Sequence, residues 1–297
     1  MPVPTITVMR TDRDALLHRL TQDPSGASVG LTQRALPPGR VVEVPGAGPL
    51  FWISEGAPTP EDVAWARAGF EESGMWPLLV DGDGTQQLVE HFGDGAQTVT
   101  SPWLGVQPAT DLPALDPERV LADEWSDLIP DNEADEDCEP DERVSALAPA
   151  GPDWPGLVPA ADWEGHPDQY ADSMTEFILA NDWFEQPRMI LVPAGSSTDA
   201  VIASGCDLSC LPMPDHVAGL VAVLGSWERR FGARVIALRP DTLYASVAAP
   251  PTDRLQAAHI ACEHFAFAPD NVLQVSDSFP EYVDDLINAN LWSFWWD

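Results

Sequence analysis

Five ionisable side chains in the C-terminal third are the residues best suited to chemistry. Glu228 and Arg230 lie near the end of one predicted helix, and Glu263, His264 and Asp270 lie around the end of the next. An imidazole beside carboxylates can transfer protons, and a guanidinium can hold an anion. The same groups can also form a buried hydrogen-bond network around a helix end. The sequence leaves both interpretations open.

The last seven residues, Leu291 to Asp297, contain three of the twelve tryptophans. Chain ends usually fray, so this much aromatic surface must be buried or used for docking. We expect Trp292, Phe294, Trp295 and Trp296 to be mainly structural. Trp295 and Trp296 are also candidates for the aromatic wall of a shallow site beside the five ionisable residues, where a ligand or partner would bind.

Neither a metal site nor a cofactor site is predicted. Cys206 and Cys210 have a spacing that zinc can use, but no second close pair completes four ligands. His259 and His264 are five residues apart on a predicted helix, which places their rings roughly 140° apart. The sequence contains no phosphate-binding glycine-rich loop and no dinucleotide fingerprint.

Ser28 stands in the pattern Gly-x-Ser-x-Gly at residues 26–30, which is typical of a hydrolase nucleophile. That motif requires a strand before the serine and a helix after it. Here a predicted helix precedes Ser28, and Pro37-Pro38 follow it closely. The context therefore argues against a catalytic serine.

The chain is strongly acidic, with 48 Asp and Glu residues against 14 basic residues, all of them Arg, and a net charge of -34. This charge repels nucleic acid phosphates and anionic membrane surfaces, so we expect no nucleic-acid and no membrane partner. It suits a basic protein partner, or it serves solubility alone.

No stretch approaches the roughly 18 apolar residues of a membrane span, and the first ten residues lack the features of a secretion signal. Four cysteines in 297 residues do not form a disulfide framework. We expect a cytoplasmic protein. The oligomeric state is left open.

Composition divides the chain into three parts. Residues 113–166 are rich in Asp, Glu, Pro and Trp, which predicts an acidic linker or mobile loop outside either core. Residues 1–112 are interpreted as an N-terminal α/β part and residues 167–297 as a C-terminal α+β domain. In the N-terminal part, a short apolar run stands at 6–9, helices are predicted after Thr11 and Thr59, strands are predicted at 40–44, 49–54 and 76–80, and a last pairing segment is predicted at 86–92.

The C-terminal part has clearer periodicity. After a first helix around Met174 to Phe184, the predicted order is strand, helix, strand, strand, helix, strand, at 189–193, 216–231, 234–238, 242–248, 252–267 and 271–275. This order is the split βαβ arrangement of a ferredoxin-like fold. A terminal helix from Glu281 into the tryptophans is expected to cover a sheet face or edge.

Four motifs in this part resemble a bacterial family known only as domain of unknown function 4253. They are SWERRFGAR at Ser226 to Arg234, SVAAPP at Ser246 to Pro251, EHFAFAPD at Glu263 to Asp270, and the final WSFWWD. The resemblance covers roughly the C-terminal third and implies no established activity. The family often has Cys at the position of Ala268, so this chain departs from any mechanism that uses a thiolate there.

These observations predict a non-catalytic binding or interaction protein, one version being an acidic inhibitor or immunity-type protein that covers a basic site on its target. The alternative is a hydrolase or transferase that uses Glu263, His264 and Asp270. A large acidic surface favours the first hypothesis, and convergence of the three side chains in a cleft favours the second.

Overall fold

A computed structural model describes residues 10–32, 34–44, 48–82, 112–128, 153–205, 217–239, 241–276 and 278–296. The apolar run at 6–9 and the predicted pairing segment at 86–92 lie outside the described residues, as do Cys138, Cys206 and Cys210.

The first part of the chain forms three helices and three strands within this description. They are α1 Arg10–Gln22, β1 Gly39–Val44, β2 Gly48–Ser54, α2 Pro60–Ala68, α3 Phe70–Ser73 and β3 Met75–Asp81. Helix α2 begins at a capping box, because the Thr59 side chain accepts from the Asp62 N–H and the Asp62 carboxylate accepts from the Thr59 N–H. The predicted strands at 40–44, 49–54 and 76–80 are confirmed.

The remaining described elements alternate between helices and strands. They are α4 Pro117–Leu128, α5 Pro167–Ala180, β4 Pro187–Pro193, α6 Ser197–Ala203, α7 Val217–Phe231, β5 Arg234–Leu238, β6 Thr242–Ser246, α8 Arg254–Phe267, α9 Phe279–Leu286 and β7 Leu291–Trp295. Helix α7 ends at Gly232, which has φ +62°, and a Cβ there would lie 2.9 Å from the Cβ of Ala248. Glycine therefore allows the chain to turn closely from α7 into β5.

One seven-stranded sheet runs through the molecule in the order β1-β2-β4-β3-β5-β6-β7. Its neighbouring strands are antiparallel except for β3 and β5, which are parallel. Strand β3 lies between β4 and β5. The N-terminal and C-terminal parts therefore share one sheet.

Helices cover both faces of this sheet. The core on one face includes side chains from α1, α2 and α5, and the core on the other face includes side chains from α4, α6, α7, α8 and α9. Among the described residues, no helix is both long enough and apolar enough to cross a membrane. The mixed α+β class is confirmed.

The split βαβ arrangement is not confirmed. Strands β5, β6 and β7 are consecutive antiparallel neighbours, and β4 is separated from β5 by β3 of the N-terminal part. The predicted final strand at Asn271–Val275 is instead a π-helical turn. The predicted terminal helix stops at Leu286, because Asn288 adopts a left-handed φ of 59° and Trp292, Phe294 and Trp296 bury every second side chain, as in a strand.

The prediction that residues 113–166 lie outside the core does not hold for the described ends of this segment. Leu121 and Trp125 of α4 are buried, and Trp125 packs against Phe265 and Trp154. Val158 is also buried in the same core. Acidic residues dominate the composition, but the apolar side chains at helical spacing in α4 bury one face of this helix. Residues 129–152 lie outside the described residues.

Candidate functional site

The Glu263 carboxylate, in α8, is completely buried and has both oxygens occupied. Arg230 of α7 donates to it through two nitrogens, at 2.8 Å from Nη1 to Oε1 and 2.6 Å from Nη2 to Oε2. The Trp227 Nε1–H donates to Oε2 at 2.7 Å, and the Val158 N–H donates to Oε1 at 2.8 Å. Such a bidentate pair with extra donors satisfies a buried charge.

Arg230 connects this pair to two other parts of the chain. Its Nη1 also donates to the carbonyl oxygen of Val158 at 2.8 Å, and its Nε donates to the hydroxyl of Ser226 at 2.9 Å. The backbone of Val158 thus binds both members of the ion pair. The pair holds the segment before α5 against α7 and α8, which is a structural role.

His264 follows Glu263 in sequence but lies in a different environment. Its ring is completely buried, and its Nδ1 is 2.9 Å from the hydroxyl of Tyr282 in α9. The rings of Trp227, Trp292 and Phe294 lie within 5.1 Å of it, measured between ring centroids. Burial in this apolar cluster lowers the pKa of His264 to about 3, so the ring is neutral at pH 7.

Two buried ring nitrogens in this cluster, Nε2 of His264 and Nε1 of Trp292, have no hydrogen-bond partner in the part of the chain that is described. A substrate could use these groups only after the aromatic cluster opened, because both rings are almost fully buried. The arrangement lacks the access that a general acid or base requires.

Glu228 belongs to a separate network. Its Oε2 accepts hydrogen bonds of 3.0 Å from both Ser197 and Thr198, and its Oε1 lies 3.4 Å from Nη1 of Arg234. The Nε of Arg234 donates to Asp168 at 3.1 Å. Glu228 therefore ties the start of α6 and the start of β5 to the N-terminus of α5.

Asp270 is half-buried beside the π-helical turn, where its Oδ1 accepts from the side chain of Gln274 at 2.9 Å. Glu263 and His264 thus bind different partners, and the Asp270 carboxylate binds the side chain of Gln274. The convergence that the hydrolase or transferase alternative requires is not supported by these contacts.

The two candidate tryptophans have different environments. Trp296 is buried and donates from Nε1 to the carbonyl oxygen of Phe267 at 3.2 Å, while Trp295 is half-buried in β7. Strand β7 pairs along its length with β6. The aromatic tail is thus integrated into the sheet.

Asn271 is a key residue that the sequence did not identify. Its Oδ1 accepts from the Trp295 N–H at 2.9 Å, and its Nδ2 donates to the Ser293 carbonyl oxygen at 2.6 Å. Since β7 is an edge strand, this amide takes the place of a neighbouring strand. Asn271 Nδ2 also lies 3.3 Å from the Tyr282 hydroxyl, and burial raises the pKa of Tyr282. The only sequence signal was a polar residue directly after the family-like segment Glu263 to Asp270.

Metal and thiol chemistry are not indicated in the described residues. No group of three or more His, Cys, Asp or Glu residues could hold a metal ion within this part of the chain. Cys262 is buried, and burial raises the pKa of its thiol to about 12, so the reactive thiolate is not formed at pH 7.

A second surface, which the sequence also did not identify, lies at the end of α5. Phe177 and Trp183 are 44% and 38% exposed, with ring centroids 5.4 Å apart and ring planes at 89°. Glu176, Asp182 and Glu185 lie beside them in sequence and are exposed. We call these five residues the aromatic–acidic patch.

Comparison with known proteins finds a match to a protein-family model in the C-terminal part of the chain. No curated protein and no solved structure matches the chain. Residues 188–297 match the family model described as Domain of unknown function (DUF4253), which confirms the resemblance of the four sequence motifs in the C-terminal part of the chain.

Proposed function

We propose that the protein is a non-catalytic interaction protein that binds a basic protein partner. The observation that carries this proposal is that the fold itself uses the Glu263 carboxylate, the strongest catalytic candidate, through Arg230, Trp227 and Val158. A group with all its hydrogen bonds made internally has little capacity left for a substrate.

The charge supports the same proposal. With a net charge of -34, the surface attracts positively charged proteins and accelerates their association. An acidic inhibitor or immunity-type protein uses this charge to cover a basic site on its target in the cytoplasm. Nucleic acid and anionic membranes carry the wrong charge for such a surface.

The alternative is a hydrolase or transferase that uses Glu263, His264 and Asp270. It requires a reachable imidazole whose pKa is close to the working pH. Full burial and a pKa of about 3 count against His264 in this role.

Affinity capture from the source cell tests the proposal. The full chain is immobilised beside an unrelated acidic protein of similar net charge, and bound proteins are identified by mass spectrometry at low and high salt. We expect one stoichiometric basic protein on the full chain only, with weaker binding at high salt. The proposal is contradicted if the immobilised full chain and the immobilised control protein capture the same proteins equally. It is also contradicted by a hydrolase or transferase activity that is lost in His264→Gln.

A further inference from the structure

The aromatic–acidic patch has the chemistry of a cation site. Resting on the proposed function, we propose that it binds an Arg or Lys side chain of the basic partner against the rings of Phe177 and Trp183. Aromatic faces attract cations through their quadrupole, and neighbouring carboxylates add charge attraction.

One of the two rings, that of Trp183, packs on a buried aromatic residue of the sheet. Trp183 packs on Tyr244 with ring centroids 5.6 Å apart, and Tyr244, on β6, is only 7% exposed. Among the described residues, Phe177 and Trp183 are exposed, whereas the other Phe, Trp and Tyr side chains are buried or half-buried. A partner therefore meets rings that already pack on one another and on Tyr244, and such pre-organisation reduces the entropy lost on binding.

Three exposed carboxylates accompany the two rings in sequence. Glu176 and Asp182 lie at the C-terminal end of α5, where the helix dipole already carries negative charge. Asp182 also adopts a left-handed φ of 53°, a position where glycine is usual. No ion pair joins Glu176, Asp182 or Glu185 to another residue in the described part of the chain.

Arg239, a cation that contacts the patch, already has other partners. Arg239 donates to the carbonyl oxygen of Trp183 at 3.4 Å and lies 4.0 Å from Asp241. Its charge is balanced by Asp241, so the three carboxylates of the patch determine the sign of the local charge. A positively charged residue of the partner is attracted by these carboxylates and covers the rings.

Two labelled peptides test the site on the full chain. One contains four Arg residues spaced by Leu, and the other has citrulline, which is neutral and of nearly the same shape, in place of each Arg. We expect the Arg peptide to bind at least tenfold more tightly. Trp183→Ala is expected to weaken its binding about tenfold, and Asp182→Asn roughly threefold.

Asp285→Asn is the matched control, because Asp285 is an exposed acid in the last turn of a different helix, α9. This variant is expected to bind like the wild type. If Asp285→Asn weakens binding as much as Asp182→Asn, or if Trp183→Ala has no effect, the net charge alone explains binding and the site is rejected.

Photo-crosslinking from p-benzoylphenylalanine at position 177 separates the possible occupants. The proposal is supported if position 177 crosslinks to the Arg peptide and does not crosslink to the citrulline peptide. Crosslinks within the chain or to a second copy overturn it. A captured basic partner that binds Trp183→Ala as tightly as the wild type rejects this site and leaves the proposed function standing, whereas failure to capture any partner rejects the proposed function.

Discussion

At the scale of single residues, adjacent positions in α8 have opposite environments. The Glu263 carboxylate accepts hydrogen bonds from Arg230 and two further donors, whereas burial among aromatic rings lowers the pKa of His264 and leaves its ring neutral at pH 7. Both side chains are completely buried. Their types suggest catalysis, but their contacts stabilise the fold.

The low pKa of His264 predicts a dependence of stability on pH. Its pKa falls from an ordinary 6.5 to about 3 on folding, so between these values the unfolded chain binds a proton that the folded chain does not. The stability that the folded chain gains from holding His264 neutral is fully present above pH 6.5. It is lost as the pH falls toward 3, by about 1.4 kcal/mol of unfolding free energy for each pH unit.

Urea unfolding of the wild type and of His264→Gln at several pH values measures this effect. The other acidic and basic groups contribute to both proteins, so the difference between their curves isolates His264. We expect the stability of the wild type to fall more steeply below pH 6.5 than that of the variant. Parallel curves show that His264 is protonated equally in both states.

At the scale of elements, the edge strand β7 depends on partners outside the sheet. Asn271 donates to the Ser293 carbonyl oxygen and accepts from the Trp295 N–H. Replacing Asn271 therefore leaves these two backbone groups without this hydrogen-bond partner. We expect Asn271→Ala to lower the free energy of unfolding by about 1 to 3 kcal/mol and to accelerate hydrogen exchange at the Trp295 amide. Gln274→Ala, in the same turn but exposed, should leave both unchanged.

Deleting residues 291–297 removes β7 and the buried rings of Trp292, Phe294 and Trp296. Each ring contributes on the order of 2 to 3 kcal/mol, against a net stability of roughly 5 to 15 kcal/mol for a domain. The truncated chain is therefore expected to be insoluble or to lose its near-UV circular dichroism. A truncated chain that melts as cooperatively and at as high a temperature as the full chain identifies the tail as a docking element.

Local patterns in the sequence predicted elements better than they predicted pairing. The spacing of apolar residues gave α7 and the strands at 40–44 and 76–80, since these depend on neighbouring positions. The placement of β3 between β4 and β5 depends on contacts between residues more than 100 positions apart, such as Leu78 with Ile190. The acidic composition of residues 113–166 did not predict α4, because Leu121 and Trp125 are the only residues of this helix that are buried.

The sequence predicted only part of the candidate site, because contacts between residues far apart in the chain cannot be read from local patterns. Sequence identified the polar residues and left their two interpretations open, but it could not show that Val158 occupies one Glu263 oxygen from 105 positions away. The exposure of Phe177 was also hidden, because it follows the helical spacing of α5 that predicted a buried face.

At the scale of the whole molecule, the N-terminal and C-terminal parts are joined in one sheet. Arg67 of α2 is buried and binds Asp172 and Thr175 of α5 on one face of that sheet. We expect the described parts to unfold together, so far-UV circular dichroism and tryptophan fluorescence should give coincident urea curves. Two separated transitions show that the parts are stable independently.

We propose that the polar residues of the family-like segments serve to stabilise the fold rather than to form an active site. The equilibrium unfolding of Glu263→Gln tests it most directly, with the exposed Glu281→Gln as control. The claim predicts that Glu263→Gln loses on the order of 3 kcal/mol, because Arg230 is left buried without its counter-charge, while the control changes little. A Glu263→Gln protein as stable as the wild type, or more stable, contradicts the claim, because residues held for catalysis often stabilise a protein when they are replaced.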